Sequence, residues 1–150
     1  MREIRCVIEI DAPAEQVWSV LADLTAYATW DPFIVEARGE LRPGARLTLR
    51  LQPPGGRAIG FRAKVLNGEP GRELRWLGRT GAIGIFDGEH LHEVDRITHG
   101  TRYIQSEPFT GMLTSFAGGI LQKTLRGFEA MNVALKEPAE IGVLSRLCPS

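Results

Sequence analysis

What the sequence has little of narrows it first. Two cysteines, Cys6 and Cys148, make no disulfide framework and have no metal-ligand spacing. No apolar run approaches the roughly 18 residues a membrane-spanning helix needs, and Met1-Arg2-Glu3-Ile4 lacks the apolar core of a secretory leader. The expected setting is the cytoplasm, with no integral membrane segment. An excess of one charge is also missing: 18 Lys plus Arg balance 18 Asp plus Glu. No global field therefore draws in nucleic acid or an anionic membrane. There is no Gly-x-Ser-x-Gly, and Ser106 and Ser115 sit in no nucleophile motif. Pro54-Gly55-Gly56 precedes a strand pattern, not a helix, so it reads as a hairpin turn and not a phosphate loop. Repeats and low-complexity segments are absent. One domain over 1–150 is expected, with its core at about 3–137 and a tail over 138–150.

What is present suits a soluble globular domain: 150 residues, 43% hydrophobic and 24% charged, enough to enclose a core. The longest helical pattern runs from Leu113 to Leu135. Ala117, Leu121, Thr124, Phe128, Met131 and Leu135 share a face, while Lys123, Arg126, Glu129 and Lys136 fall largely off it. Thr114 or Ser115 can cap its start, and Pro138 is expected to stop it. Gly118 and Gly119 in its first turns each cost about 1 kcal/mol relative to alanine. They imply either close packing or space beside a cavity mouth.

Upstream the period is two. Arg2 to Asp11 alternates, with Ile4, Cys6, Ile8 and Ile10 on one face, which predicts a half-buried strand. Pro13 opens a short helix to Asp23 carrying Val17, Trp18 and Leu21, and Thr25 to Thr29 reads as a second helical turn, broken at Trp30-Asp31-Pro32. From Phe33 to Phe109 six alternating segments are separated by short Gly and Pro turns, which predicts an antiparallel meander. The last two, about Gly84 to Ile97 and Thr101 to Phe109, join at His99-Gly100. A sheet of about seven strands should curl around the terminal helix, with the two short helices closing one end. The fold class is α+β.

Several stretches carry a resemblance: Ile10-Asp11-Ala12-Pro13 with Val17-Trp18, Tyr27 with Trp30-Asp31-Pro32-Phe33, Gly88-Glu89-His90, Gly100-Thr101-Arg102, and Glu107-Pro108-Phe109-Thr110-Gly111. Over roughly residues 3 to 137 the chain resembles the helix-grip fold of the START-like (SRPBCC, birch-pollen-allergen-like) superfamily. Within it, the likeness is to the polyketide cyclase/dehydrase and lipid-transport family. The resemblance implies a cavity between sheet and C-terminal helix. It does not imply one activity, because such folds host carriers, cyclases, dehydratases and accessory proteins.

The candidate chemistry lies on the two long strands. Phe86, Gly88, His90, His92 and Val94 share one face of the first, with the acidic Asp87, Glu89, Glu93 and Asp95 opposite, so the histidines should look inward. Tyr103, Gln105, Glu107 and Phe109 share one parity on its partner. A polar patch of His90, His92, Tyr103, Gln105 and Glu107 on an apolar wall would orient a small ligand. A buried His–Glu pair, with Tyr103 as a further candidate, would also supply an acid and a base. The bland alternative is that these groups satisfy one another. Zinc ligation by His90, His92 and Glu107 is weaker still, since most His-x-His pairs in strands bind nothing, and neither metal nor cofactor is expected. Trp30, Phe86, Phe109, Phe116, Ile120 and Leu121 are candidate wall residues in contact with the ligand, while Trp18 and Trp76 read as core. The expected role is binding of a small hydrophobic molecule, lipid, aromatic or polyketide-like. The alternatives are a cyclase or dehydratase using the inward groups and an accessory protein with a filled core. A monomer or a homodimer is expected.

Overall fold

The computed structural model describes residues 2–80, 86–110 and 118–147. Strand β1 (Arg2–Ile10) leads into helix α1 (Ala14–Ala22), a 3-10 turn (Leu24–Ala26) and helix α2 (Tyr27–Trp30). Strands β2 (Ile34–Arg38), β3 (Arg46–Leu51), β4 (Ile59–Glu69), β5 (Glu73–Thr80), β6 (Phe86–Ile97) and β7 (Gly100–Thr110) follow, and helix α3 (Gly118–Leu147) ends the described chain. All neighbours are antiparallel, and the curled seven-stranded sheet has the order β1-β7-β6-β5-β4-β3-β2. The meander thus runs from β2 to β7, and β1 returns to pair with β7, Ile4 opposite Glu107 and Cys6 opposite Gln105.

Alternation decides which side chains meet the helix. Leu47, Leu49, Ala63, Val65, Leu74 and Trp76 are all buried, because every second residue of a strand points to the same face. Helix α1 adds Val17 and Leu21, both fully buried, and half-buried Trp18 packs against this core. Helix α3 lies chiefly against β1 and α1, and its stripe of Leu121, Phe128, Met131 and Leu135 is buried as the periodicity predicts. Phe33 meets Phe128 edge-on, ring centroids 5.8 Å apart. That approach depends on Gly127, where any Cβ would collide with the Phe33 ring.

The expectation that Pro138 stops the helix is corrected: α3 continues through Pro138 to Leu147. Proline forfeits one backbone hydrogen bond within a helix. The apolar spacing nevertheless carries on through Leu135 to Ala139, which is fully buried, and this docking outweighs the lost bond. The proposed caps Thr114 and Ser115 lie outside the described residues. Of the two glycines at the helix start, Gly119 has open space where a side chain would go. Gly127 of this helix is tightly packed and Gly119 is not. Among the described residues no helix is long and apolar enough to cross a membrane.

Candidate functional site

Strand β6 delivers His90 and His92 inward as neighbours on one face. Their rings stack at 4.1 Å between centroids, planes 25° apart. Trp76 from β5 lies across both, 5.0 Å from His90 and 4.8 Å from His92. From the helix side Phe128 lies flat on His90 at 4.5 Å. Both histidines are buried, His92 completely.

Hydrogen bonds then fix the polar edges. Gln105 of β7 donates through Nε2 to Asn132 Oδ1 of α3 at 2.6 Å and to the Phe128 carbonyl at 3.3 Å. Its Oε1 accepts from His90 Nε2 at 2.8 Å, which places the His90 proton on Nε2. Asn132 Nδ2 donates in turn to Cys6 Sγ at 3.1 Å. His92 Nδ1 and the Tyr103 hydroxyl share a 2.5 Å hydrogen bond, and His92 Nε2 is buried without a partner. Burial drives the His90 pKa down to about 4, against a small opposing effect from Gln105. His92 is driven well below its ordinary value by burial and by its neighbour His90. Both imidazoles are neutral at physiological pH. Burial likewise raises the Tyr103 phenol well above its usual range.

The predicted patch therefore assembles, with one correction. His90, His92, Tyr103 and Gln105 come together, but the expected His–Glu pair does not form. Each histidine already has a neutral partner on β7, and Glu107 makes no hydrogen bond or ion pair with any described residue. Glu107 sits further along β7, half-buried, and desolvation raises its carboxyl to about 8. It has room because the residue beneath it is Gly88. A Cβ there would run into the Glu107 carboxylate and would lie 2.9 Å from the Phe109 ring.

Phe109 and Leu121 are buried near this end of the sheet and helix. Ile4, opposite Glu107 in the β1–β7 ladder, forms with Leu121, Leu125, Gly118, Gly119 and Glu3 a groove of about 500 Å³ between β1 and the first turns of α3. Gly119 thus fits the reading of space beside a cavity mouth. Trp30 is half-buried and tilted on Tyr27 at 5.0 Å, its Nε1 buried and unpartnered. Phe116 lies outside the described residues, as do the side chains of Phe86 and Ile120. Among the described residues no group of three His, Cys, Asp or Glu side chains is placed to hold a metal ion.

Asn132 and Asp31 are buried polar residues that the sequence reading placed in no site. Asn132 lies four residues after Phe128 and three before Leu135, so its spacing placed it on the buried stripe. Asp31 closes the corner between α2 and β2, its Oδ1 accepting from the backbone N–H groups of Phe33 at 2.8 Å and Ile34 at 3.0 Å. Burial outweighs those bonds and lifts its carboxyl to about 7. Its place before Pro32 was the available signal.

A curled antiparallel sheet gripping a long C-terminal helix, with two short helices after the first strand, defines the START-like, helix-grip class. The chain belongs to the polyketide cyclase/dehydrase and lipid-transport family, whose model matches residues 1–140. Among solved structures it is similar to a START superfamily protein from Mycobacterium smegmatis, with TM-score 0.71 and 18% identity over 97% of this chain and 99% of that one. The Zhui aromatase/cyclase from Streptomyces sp. R1128 gives 0.70 and 17% over 99% and 96%. A protein from Thermus thermophilus gives 0.74 and 17% over 94% and 99%. At such identities the likeness shows the fold. No curated protein matches the chain.

Proposed function

We propose that this chain binds a small hydrophobic molecule between the C-terminal end of β7, the start of β1 and the first turns of α3. The observation that carries this reading is Glu107. A carboxyl group that is inward, half-buried and without a partner among the described residues is costly to maintain. It lies among apolar surfaces, Phe109 beside it and Ile4 across the ladder, the latter on the groove wall with Leu121. Apolar walls supply affinity through burial, at about 25 cal/mol per Å², and one polar group supplies orientation. His90, His92, Tyr103 and Gln105 support the wall from behind in this reading, since their polar edges are mostly spent on one another.

A cyclase or dehydratase activity is the second reading, favoured by the same residue. With its carboxyl held at about 8, Glu107 keeps its proton at neutral pH and is poised as a general acid. The family description and the aromatase/cyclase among the similar structures are compatible with both readings.

Titration with the uncharged dye Nile red tests the site. Saturable fluorescence enhancement is expected, reduced at least tenfold in affinity by Leu121→Trp, which fills the groove. Equal binding by a folded Leu121→Trp variant would place the dye elsewhere and contradict the reading.

A further inference from the structure

We infer that two copies of this chain join edge to edge through β1, antiparallel about a two-fold axis at Val7, so that their sheets become continuous. This contact is separate from the ligand site and does not depend on it.

The sheet ends in two edge strands, β1 and β2. Strand β2 is poorly suited to pairing. It has five residues, its register with β3 shifts between Ile34 and Glu36, and α2 packs beside it. Short length, bulges and covering elements are the means by which proteins keep edges from joining. Strand β1 is neither short nor bulged: its nine residues contain no proline and keep an unbroken register with β7 from Arg2 to Ile10. Helix α3 meets its inner side, where Asn132 reaches Cys6. Arg5, Val7 and Glu9 on the outer side are exposed, Val7 by 44%. Beyond its ladder with β7, β1 makes no backbone hydrogen bond to any described residue. Open space borders both ends of the strand, about 500 Å³ at Glu3 and Ile4 and about 400 Å³ at Glu9, Ile10 and Asp11.

The strand's own sequence identifies the occupant. Residues 4–10 read Ile-Arg-Cys-Val-Ile-Glu-Ile. Turned end for end about Val7, this pattern repeats with its charges exchanged. Ile4 of one copy meets Ile10 of the other, Cys6 meets Ile8, and Arg5 meets Glu9. A two-fold pair of β1 strands therefore sets opposite charges together twice on the outer face and apolar residues together on the inner one. Glu9 already touches Arg102 of its own β7 at 3.4 Å, so Arg5 of the second copy completes an Arg–Glu–Arg row across the junction. A slip of two residues either way sets Arg5 or Glu9 against Val7, which fixes the register. The like-charged pair in this arrangement is Glu3 with Asp11, and Asp11 lies past the last residue of β1. A single strand pair is small for an interface, so the dimer forms as concentration rises and is not obligate.

Sedimentation equilibrium of the whole chain over a rising concentration series tests this. The mass is expected to climb from the 16.6 kDa of one chain towards twice that value. Arg5→Glu makes both outer pairs like-charged and should weaken association at least about tenfold. Adding Glu9→Arg to it restores opposite charges and should recover most of that loss. Val7→Lys, which brings two lysines together on the axis, is an independent disruption. All three positions are exposed, so the circular dichroism of each variant should match the parent. A chain that keeps the mass of one copy throughout overturns the inference. So does a dimer weakened by neither Arg5→Glu nor Val7→Lys, which places the contact on another surface, and so does an Arg5→Glu loss that Glu9→Arg does not recover.

Discussion

Phe128 of α3 lies parallel to His90 of β6, ring centroids 4.5 Å apart and planes within 14°. This contact joins helix to sheet at the depth where both histidines were expected to face a ligand. In the proposed reading it makes them supports of the wall, with His90 stacked on the helix through Phe128 and on its neighbour His92. Phe128→Ala should therefore lose about 3–5 kcal/mol of stability, as large-to-small changes at fully buried aromatics do. Phe128→Leu, which keeps most of the apolar volume, should lose distinctly less. Urea denaturation of the two variants measures the difference.

The pH dependence of stability follows from three buried groups, His90, His92 and Asp31, and half-buried Glu107. His90 and His92 are depressed below the ordinary value of 6.5, so below that pH the unfolded chain takes up protons that the folded chain refuses, and their contribution is lost as pH falls from 6.5 towards 4. Asp31 at about 7 and Glu107 at about 8 are raised from 3.8 and 4.5. The folded chain holds their protons longer, so their contribution is lost as pH rises through 7 and 8. Between about 4.5 and 6.5 the two pairs oppose each other and stability should be nearly flat. From 6.5 to 8 only the carboxyls act, and stability should fall by up to about 1.4 kcal/mol per pH unit for each. Glu107→Gln should end the fall near pH 7. Denaturation midpoints from pH 5 to 9 for the two proteins check this.

Glycine substitutions should separate by surroundings. Gly119→Ala meets open space and gains up to about 1 kcal/mol of helix propensity. Gly127→Ala meets the Phe33 ring, and Gly88→Ala meets the Phe109 ring and the Glu107 carboxylate. Both should be destabilised by about 1–3 kcal/mol, the usual cost of overpacking. Thermal unfolding of the three variants gives the order directly.

Asn132 joins sheet to helix through Gln105 and Cys6. Asn132→Ala leaves Gln105 Nε2 with only its longer bond to the Phe128 carbonyl, and should cost about 1–3 kcal/mol. Gln105→Leu in the same background should cost less than in the parent, because one network is being removed once and not twice. A double-mutant cycle in urea measures that coupling.

Much of the fold was legible because period two and period 3.6 separate cleanly in this chain. The parity of His90, His92, Tyr103 and Gln105 followed from alternation alone. Which of them would pair did not, because register depends on where the β6–β7 turn closes, and the observed register sets His92 opposite Gln105 and Val94 opposite Tyr103. The bond from His90 to Gln105 then runs diagonally, which alternation cannot foretell. The return of β1 to β7 is a long-range pairing with no local signal. Pro138 misled because a local helix breaker was set against a docking face whose strength is tertiary. Gly127 and Asn132 matter through residues far away in sequence, Phe33 and Gln105.

The most direct test of the ligand site is an amide NMR titration of the whole chain with 2-acetylnaphthalene. The account predicts saturable shifts concentrated at Ile4, Glu107, Phe109, Leu121 and Leu125, where β1, β7 and α3 converge. No saturable shifts, or shifts gathered instead around another concavity, at Asp11–Glu15 and His99, would contradict it.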